Sequence, residues 1–241
     1  MKTINILGVN IANITMEQAK EKVIEFLDGD KLSAIYTPNS EMIDYATNDE
    51  EFFKVLNAAD LNIPDGIGVV YASKILGDPI KERVAGIDLV YEILPILAEQ
   101  KKSIYLLGAN PGVAETAAKK LAEKYPGLVI AGTHDGYFTD DEKVIELIND
   151  ASPDFLMVCL GFPKQEFWID KYKDRLNAKV AIGAGGTLDV FAGTVMRAPE
   201  FYQKHGIEWL YRLVKQPSRF VRMLSLPKFG LKVLFKGKRC R

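Results

Sequence analysis

Histidine and cysteine are scarce: the 241 residues hold two of each. His134 and His205 stand far apart and in no ligand spacing, so no histidine metal cluster is expected. Cys159 lies in an apolar run and Cys240 near the end, which makes no disulfide framework and points to a reducing compartment. No apolar run approaches the ~18 residues of a membrane span. The first residues, MKTINILGVNIANIT, place polar side chains inside every apolar stretch, unlike a secretory signal, so a cytoplasmic location is expected. No period repeats. Neither the G-x-G-x-x-G dinucleotide fingerprint nor a Gly-Lys-Ser/Thr phosphate loop occurs. Asp28-Gly29-Asp30 has the D-x-D form used to hold divalent ions, but it precedes a strand and reads as a turn at the wrong edge.

Charge is plentiful but unevenly placed. Residues 197–241 contain 12 Lys+Arg and 2 Asp+Glu, a net of +10; the remainder holds 31 − 12 = 19 basic and 32 − 2 = 30 acidic residues, a net of −11. A basic segment on an acidic body suits an anionic partner, membrane or nucleic acid.

Strand and helix patterns alternate. Residues 3–14 read as a strand or hairpin, and 15–28 as a helix opened by Thr15. Leu32 to Tyr36 reads as a buried strand, and Ser40 to Leu56 as helical with a break near Asn48. Leu61–Ile63 ends a strand, and residues 87–101 form a helix. Ser103 to Leu107 is a strand, with a helix to Tyr125 in which Pro111 takes the first turn. Leu128 to Ala131 is a strand, and Thr139 caps the next helix. Asp154 to Leu160 is apolar on both faces, and Val180 to Ile182 is the last strand. This order predicts an α/β, Rossmann-like, mostly parallel sheet with helices on both faces. Residues 1–196 form its catalytic domain, and residues 197–241 a basic amphipathic appendage.

In a parallel sheet the turns after strands share one edge. Thr37/Asn39, Asp65, Gly108–Asn110, His134–Tyr137, Gly161–Gln165 and Gly183–Thr187 therefore form one composite site. Asp65, in Pro64-Asp65-Gly66, is either a reactive carboxylate or the N-cap of the following helix. Arg83 is either a cation folded over the same mouth or a solvated charge. Gly108-x-x-Pro-Gly112 and Gly183-x-Gly185-Gly186-Thr187 open helices, where unpaired N–H groups suit phosphates. Gln165 suits substrate hydrogen bonding, and Cys159 reads as core. From Gly206 to Leu224, Arg212, Lys215, Arg219 and Arg222 share one helical face, opposite Trp209, Leu210, Leu213 and Phe220. Pro217 divides the stretch into two short helices. With the basic and apolar residues beyond it, this suits a membrane interface.

These motifs resemble the bacterial TagA/WecG/CpsF glycosyltransferases, glycosyltransferase family 26. The likeness rests on T-P-N at 37–39, P-D-G at 64–66, R-V-x-G at 83–86 and L-L-G-x-x-P-G at 106–112. It extends through G-x-x-x-Q at 161–165, G-G-x-x-D at 185–189, R-A-P at 197–199 and E-W-L-Y-R-L at 208–213. The chain is most similar to the wall teichoic acid branch. The resemblance implies transfer of N-acetylmannosamine from its UDP donor to undecaprenyl-diphosphate-linked N-acetylglucosamine, with a β-1,4 linkage, inversion, no metal and no cofactor. It implies that Asp65 is the base, with Thr37, Asn39, Arg83 and Gln165 around the reacting groups. It also implies a tail that associates with the inner face of the membrane and completes the site. On this reading Gly108, Asn110, Gly185 and Gly186 cradle phosphates, and Arg212, Arg219 and Arg222 or Arg83 meet the diphosphate. Asp189 hydrogen-bonds the uracil or ribose, and Tyr137 stacks on the base. Another UDP-sugar, ManNAcA or a hexose, is the alternative donor, and oligomeric state is left open. A nicotinamide-dependent oxidoreductase and a nucleic-acid-binding protein are the readings from other classes. The first lacks its glycine fingerprint; the second would use the tail's aromatics to stack on bases.

Overall fold

The computed structural model describes residues 1–215 and 225–236. β1 (Thr3–Ile6) and β2 (Val9–Ala12) form an antiparallel hairpin. α1 (Met16–Leu27) starts in a capping box, with the Thr15 hydroxyl on the Gln18 N–H and the Gln18 side chain on the Thr15 N–H. β3 (Ser33–Tyr36) leads through α2 (Ser40–Ala46) and α3 (Glu50–Asn57) to β4 (Leu61–Asn62). α4 (Ile67–Ile75) and α5 (Gly86–Glu99) precede β5 (Ser103–Gly108). Then follow α6 (Val113–Lys124), β6 (Val129–His134), α7 (Asp141–Ala151), β7 (Phe155–Cys159), α8 (Lys164–Tyr172), β8 (Val180–Gly183) and α9 (Thr187–Ala192). α10 (Glu200–Lys204), α11 (Glu208–Lys215) and α12 (Ser225–Lys236) complete the described chain.

β3 to β8 make a six-stranded sheet in the order β4-β3-β8-β7-β5-β6, and every pairing is parallel. The expected Rossmann-like α/β fold is therefore present. Along β7, Phe155, Met157 and Cys159 enter one core while Leu156 and Val158 enter the other, as the two-residue strand period requires. Right-handed crossovers decide which helix covers which face. The step from β5 to β6 and the return from β6 to β7 run in opposite directions, so α6 and α7 fall on opposite faces.

Some boundaries differ from the sequence pattern. β6 reaches His134, so Gly132-Thr133-His134 are strand and not turn. Gly132 faces the Tyr105 ring, where a Cβ would come within 2.5 Å, so only glycine permits that pairing. Asp140, not Thr139, caps α7, through its carboxylate on the Lys143 N–H. Pro111 precedes the left-handed cap Gly112 instead of starting α6. α11 is described as far as Lys215, and Pro217 and the second short helix expected up to Leu224 lie outside the described residues.

α12 packs on α2 and α4. Phe229 and Val233, four residues apart on one helical face, are buried in the body's core. Asp44 of α2 is also buried, and Lys232 Nζ at 2.6 Å and Lys228 Nζ at 3.3 Å compensate its charge. Phe229→Ala is expected to cost ~3 kcal/mol or more in urea unfolding. A loss below ~1 kcal/mol would mean that α12 does not share the core.

Candidate active site

The carboxyl edge of the sheet carries the candidate residues. Asp65 ends the turn after β4, where Gly66, with φ 76°, is the N-cap of α4 and no side chain caps that helix. Asp65 is therefore not the capping residue. Its Oδ1 accepts the Gly66 N–H at 2.6 Å, and the Gly86 N–H at the start of α5 also serves the carboxylate. A Cβ on Gly66 would lie 3.3 Å from Asn39 Cβ, so glycine lets the P-D-G and T-P-N turns close on each other.

Arg83 reaches the same place because the Val84 N–H bonds the Pro64 carbonyl at 3.0 Å, which ties its loop to the P-D-G turn. Arg83 Nη2 meets Glu208 Oε2 at 3.5 Å, and Arg83 Nε is buried with no hydrogen-bond partner among the described residues. Asn39, Asp65, Arg83, Glu208, Trp209 and Leu226 line one cavity, closed on one side by α11 and α12. Burial pushes the Asp65 carboxyl above the ordinary carboxylate range; Arg83 and the Gly66 and Gly86 N–H groups pull it back, and Glu208 adds to the rise.

Thr37 and Gln165 lie behind this cavity. The Thr37 hydroxyl donates to the Gly183 carbonyl at 3.2 Å, and its methyl fills the space beside Gly86. It joins the ends of β3 and β8 and seats the start of α5. Gln165 is buried, with both amide ends engaged: Oε1 accepts the Gly185 N–H at 3.0 Å, and Nε2 donates to Glu166 Oε1 at 2.6 Å. Gln165 thus orients the Gly185-Gly186 turn. Asn39 caps α2 through Oδ1, on the Glu41 and Met42 N–H groups, and lines the cavity.

A second group gathers around β5 and β6. Gly108, with φ 130°, lies so close to the Cys159 carbonyl that a Cβ would fall 2.3 Å from its oxygen. The Gly136 N–H bonds the Ala109 carbonyl at 2.9 Å, and Lys164 Nζ reaches the Gly136 carbonyl at 3.2 Å. This brings Gly108, Asn110 and Tyr137 into one neighbourhood, with Asn110 and Tyr137 exposed. Five strand spacings separate the ends of β4 and β6, roughly 24 Å. Asp65 and Tyr137 therefore lie at opposite ends of the edge, with Gly185 and Gly186 between. Asp189, in the first turn of α9, accepts the Thr194 hydroxyl at 3.2 Å and lies three strand positions from Tyr137. Arg212 is on α11, with its side chain outside the described set, and Arg219 and Arg222 lie outside the described residues.

Besides Asp44, two buried acids escaped the sequence reading. Glu166 follows Gln165 and is fully buried, its Oε2 without a hydrogen-bond partner among the described residues. A helical stripe through Gln165, Trp168, Ile169 and Tyr172 marks the buried face of α8 and was the available signal. Glu208 opens the E-W-L-Y-R-L motif, and no local pattern discloses its pairing with Arg83. Burial raises Cys159 to about 12, which keeps it an inert core thiol. Among the described residues no three His, Cys, Asp or Glu side chains are grouped as for a metal ion, and no helix is long and apolar enough to cross a membrane.

The model of the glycosyl transferase WecG/TagA/CpsF family matches residues 4–241. The chain belongs to this family. A Bacillus spizizenii relative is 41% identical over 209 residues, covering 87% of this chain and 81% of its own. One from Bacillus subtilis strain 168 is 40% identical over 206 residues, covering 86% and 80%. One from Staphylococcus aureus strain MRSA252 is 37% identical over 238 residues, covering 98% and 93%. All three are named N-acetylglucosaminyldiphosphoundecaprenol N-acetyl-beta-D-mannosaminyltransferase. The resemblance seen in the motifs of this glycosyltransferase thus extends over its length.

The buried acid of α8 generates a test. Burial raises Glu166 from 4.5 to about 7, while the Gln165 hydrogen bond opposes the rise. Between those values the folded state holds a proton that the unfolded state releases, so stability falls as pH rises through the window. The slope amounts to on the order of 3 kcal/mol in all. Glu166→Gln is expected to flatten the fall in Tm between pH 5 and 7.5, whatever its absolute stability. An unchanged slope would place the titration elsewhere.

Proposed function

We propose that this glycosyltransferase transfers N-acetylmannosamine from UDP-N-acetylmannosamine to undecaprenyl-diphosphate-linked N-acetylglucosamine, the linkage-unit step of wall teichoic acid synthesis. The observation that carries the mechanism is Asp65: one carboxylate with raised basicity, beside Arg83, in a cavity at the ligand-binding edge of the sheet. Its ionised form takes the proton of the acceptor hydroxyl. The acceptor oxygen forms its bond to the anomeric carbon as the bond to the UDP oxygen breaks, and that oxygen leaves with the electron pair. Attack opposite the leaving group inverts the carbon and needs no enzyme nucleophile. The Arg83 guanidinium at the cavity and the Gly186 N–H at the cap of α9 suit the charge that grows on the diphosphate.

The acceptor's lipid brings the protein to the inner face of the membrane. Exposed Trp209, Leu210 and Val214 on α11 and Leu231, Leu234 and Phe235 on α12 support a peripheral, interfacial mode. The basic residues of the same segment support an anionic surface. No observation favours the oxidoreductase or the nucleic-acid reading.

Asp65→Asn is expected to lower turnover ~100-fold or more with UDP binding retained. Near-wild-type turnover would remove Asp65 as the base. Because the base acts ionised and its proton is held more tightly than usual, kcat/KM should fall on acidification at a pH above the usual carboxylate range. EDTA is expected to leave turnover intact; a loss restored by magnesium or manganese would require a metal. UDP release across a panel of UDP-sugars with lipid-linked N-acetylglucosamine tests the donor, and preference for another sugar would overturn that part of the reading.

A further inference from the structure

Glu208 stands where a carboxylate is least expected. A site for a nucleoside diphosphate and a lipid diphosphate must gather negative charge, and an additional buried anion opposes that binding. Yet Glu208 is only 8% exposed and lines the same cavity as Asp65 and Arg83. It comes from α11, at the start of the E-W-L-Y-R-L motif, and meets an arginine 125 residues earlier in the chain. The loop of Arg83 is tied to the body through the backbone N–H of its neighbour Val84. Its side chain is long, and a guanidinium without an anchor would sample many rotamers at an entropic cost to any ordered contact.

We propose that Glu208 is a positioning residue of the transfer site: it holds the Arg83 guanidinium by its Nη2 end in the cavity of Asp65. This rests on the transfer reached above and adds a residue to it. The arrangement alternates carboxylate, guanidinium and carboxylate. Among the described residues, charged groups facing Glu208 include Asp65 from the turn after β4, Arg83 from the loop before α5, and Arg197 from the segment after α9, which Asp88 of α5 also holds at 2.6 Å. Asp65 and Arg83 act from the body, while Arg197 and Glu208 belong to the C-terminal segment. That segment therefore supplies the site with an orienting anion. Arg83 and Glu208 also act on Asp65 in opposite senses, the arginine favouring its ionised form and the glutamate its protonated form. Loss of the Glu208 charge would make Asp65 a weaker base while freeing Arg83 from its anchor.

The experiment compares Glu208→Gln, Glu208→Asp, Arg83→Gln and the double variant Glu208→Gln/Arg83→Gln in the full-length chain, with thermal unfolding as the folding control. Glu208→Gln is expected to lower kcat on the order of 10- to 100-fold, as for misplaced catalytic groups, with little change in KM for the UDP-sugar. Its acidic limb of kcat/KM should move to lower pH. Glu208→Asp should recover part of the rate. The double variant should be no slower than Arg83→Gln alone, because the two residues act as one unit. In parallel, the Asp65 carboxyl carbon is titrated by NMR in wild type and Glu208→Gln, assigned by its loss in Asp65→Asn. The titration should shift to lower pH in Glu208→Gln with or without turnover. If the wild type transfers no N-acetylmannosamine, the proposed reaction fails, and the NMR shift still decides whether Glu208 acts on Asp65. Wild-type kcat with an unmoved Asp65 titration, or losses that add in the double variant, would overturn the role given to Glu208.

Discussion

A carboxylate taken out of water loses several kcal/mol of hydration unless fixed dipoles and charges replace it. At the end of β4 the replacements come from separate parts of the chain: the Gly66 N–H beside Asp65, the Gly86 N–H at the start of α5, and the Arg83 guanidinium. Each must be in place for Asp65 to stay ionisable, and each is placed by another feature. Gly66 takes a positive φ that lets its turn approach Asn39; Gly86 sits against Thr37; the Arg83 loop is tied to Pro64. The compensation is incomplete, since burial still dominates and the carboxyl remains raised. That residue of strain suits a base, which must hold a proton better than an ordinary surface carboxylate.

The C-terminal helices are bound to the same edge by two kinds of contact. Phe229 and Val233 place α12 in the core of the body, while Leu226 of the same helix lines the cavity and lies near Gly68. A Cβ on Gly68 would fall 2.1 Å from the Ser40 hydroxyl oxygen, so α4 approaches α2 closely there. Core packing at Phe229 and Val233 thus fixes a wall of the site about one to two turns away along α12. Buried Asp44 makes this docking selective, because without its lysines it would be an uncompensated charge in an apolar interface.

Much of the fold was legible because a parallel sheet buried on both faces leaves short apolar strands between turns. β7 reads that way from Phe155 to Cys159, and the two-sided alternation of its side chains follows from the strand period. The turns that carry Thr37, Asn39, Asp65, Gly108 and Gly185 were legible for the same reason, since strand direction puts them at one edge. Roles within the edge were less so. Thr37 and Gln165 point their polar groups at backbone of β8 and the turn after it, and Gln165 also bonds Glu166. A sequence shows that a residue ends a strand but not which way its hydrogen bonds run. Glu166 and Glu208 were missed because an acid in the first turn of a helix is an ordinary, dipole-favoured feature. Only tertiary packing separates the buried ones from the solvated ones. Asp140 took the cap from Thr139 because two adjacent residues could each have accepted the same N–H.

The charge asymmetry reads differently once packing is known. By sequence the last 45 residues carry a net of +10. Among the described residues, Lys228 and Lys232 pair with Asp44 and Arg197 pairs with Asp88, so two body carboxylates already offset part of that charge. At ~1 kcal/mol for each cation near an anionic leaflet, and less where a cation is turned toward the body, charge alone gives a salt-sensitive hold. In the peripheral mode proposed above, the large apolar side chains exposed on α11 and α12 would complement that hold: Trp209, Leu231 and Phe235 would each remove apolar surface from water on insertion, a contribution that salt does not screen. Because α12 docks through Phe229 and Val233 with its exposed apolar residues on the remaining surface, a helix inserted in this way would keep the cavity wall at Leu226 close to the membrane surface from which the lipid-linked acceptor comes.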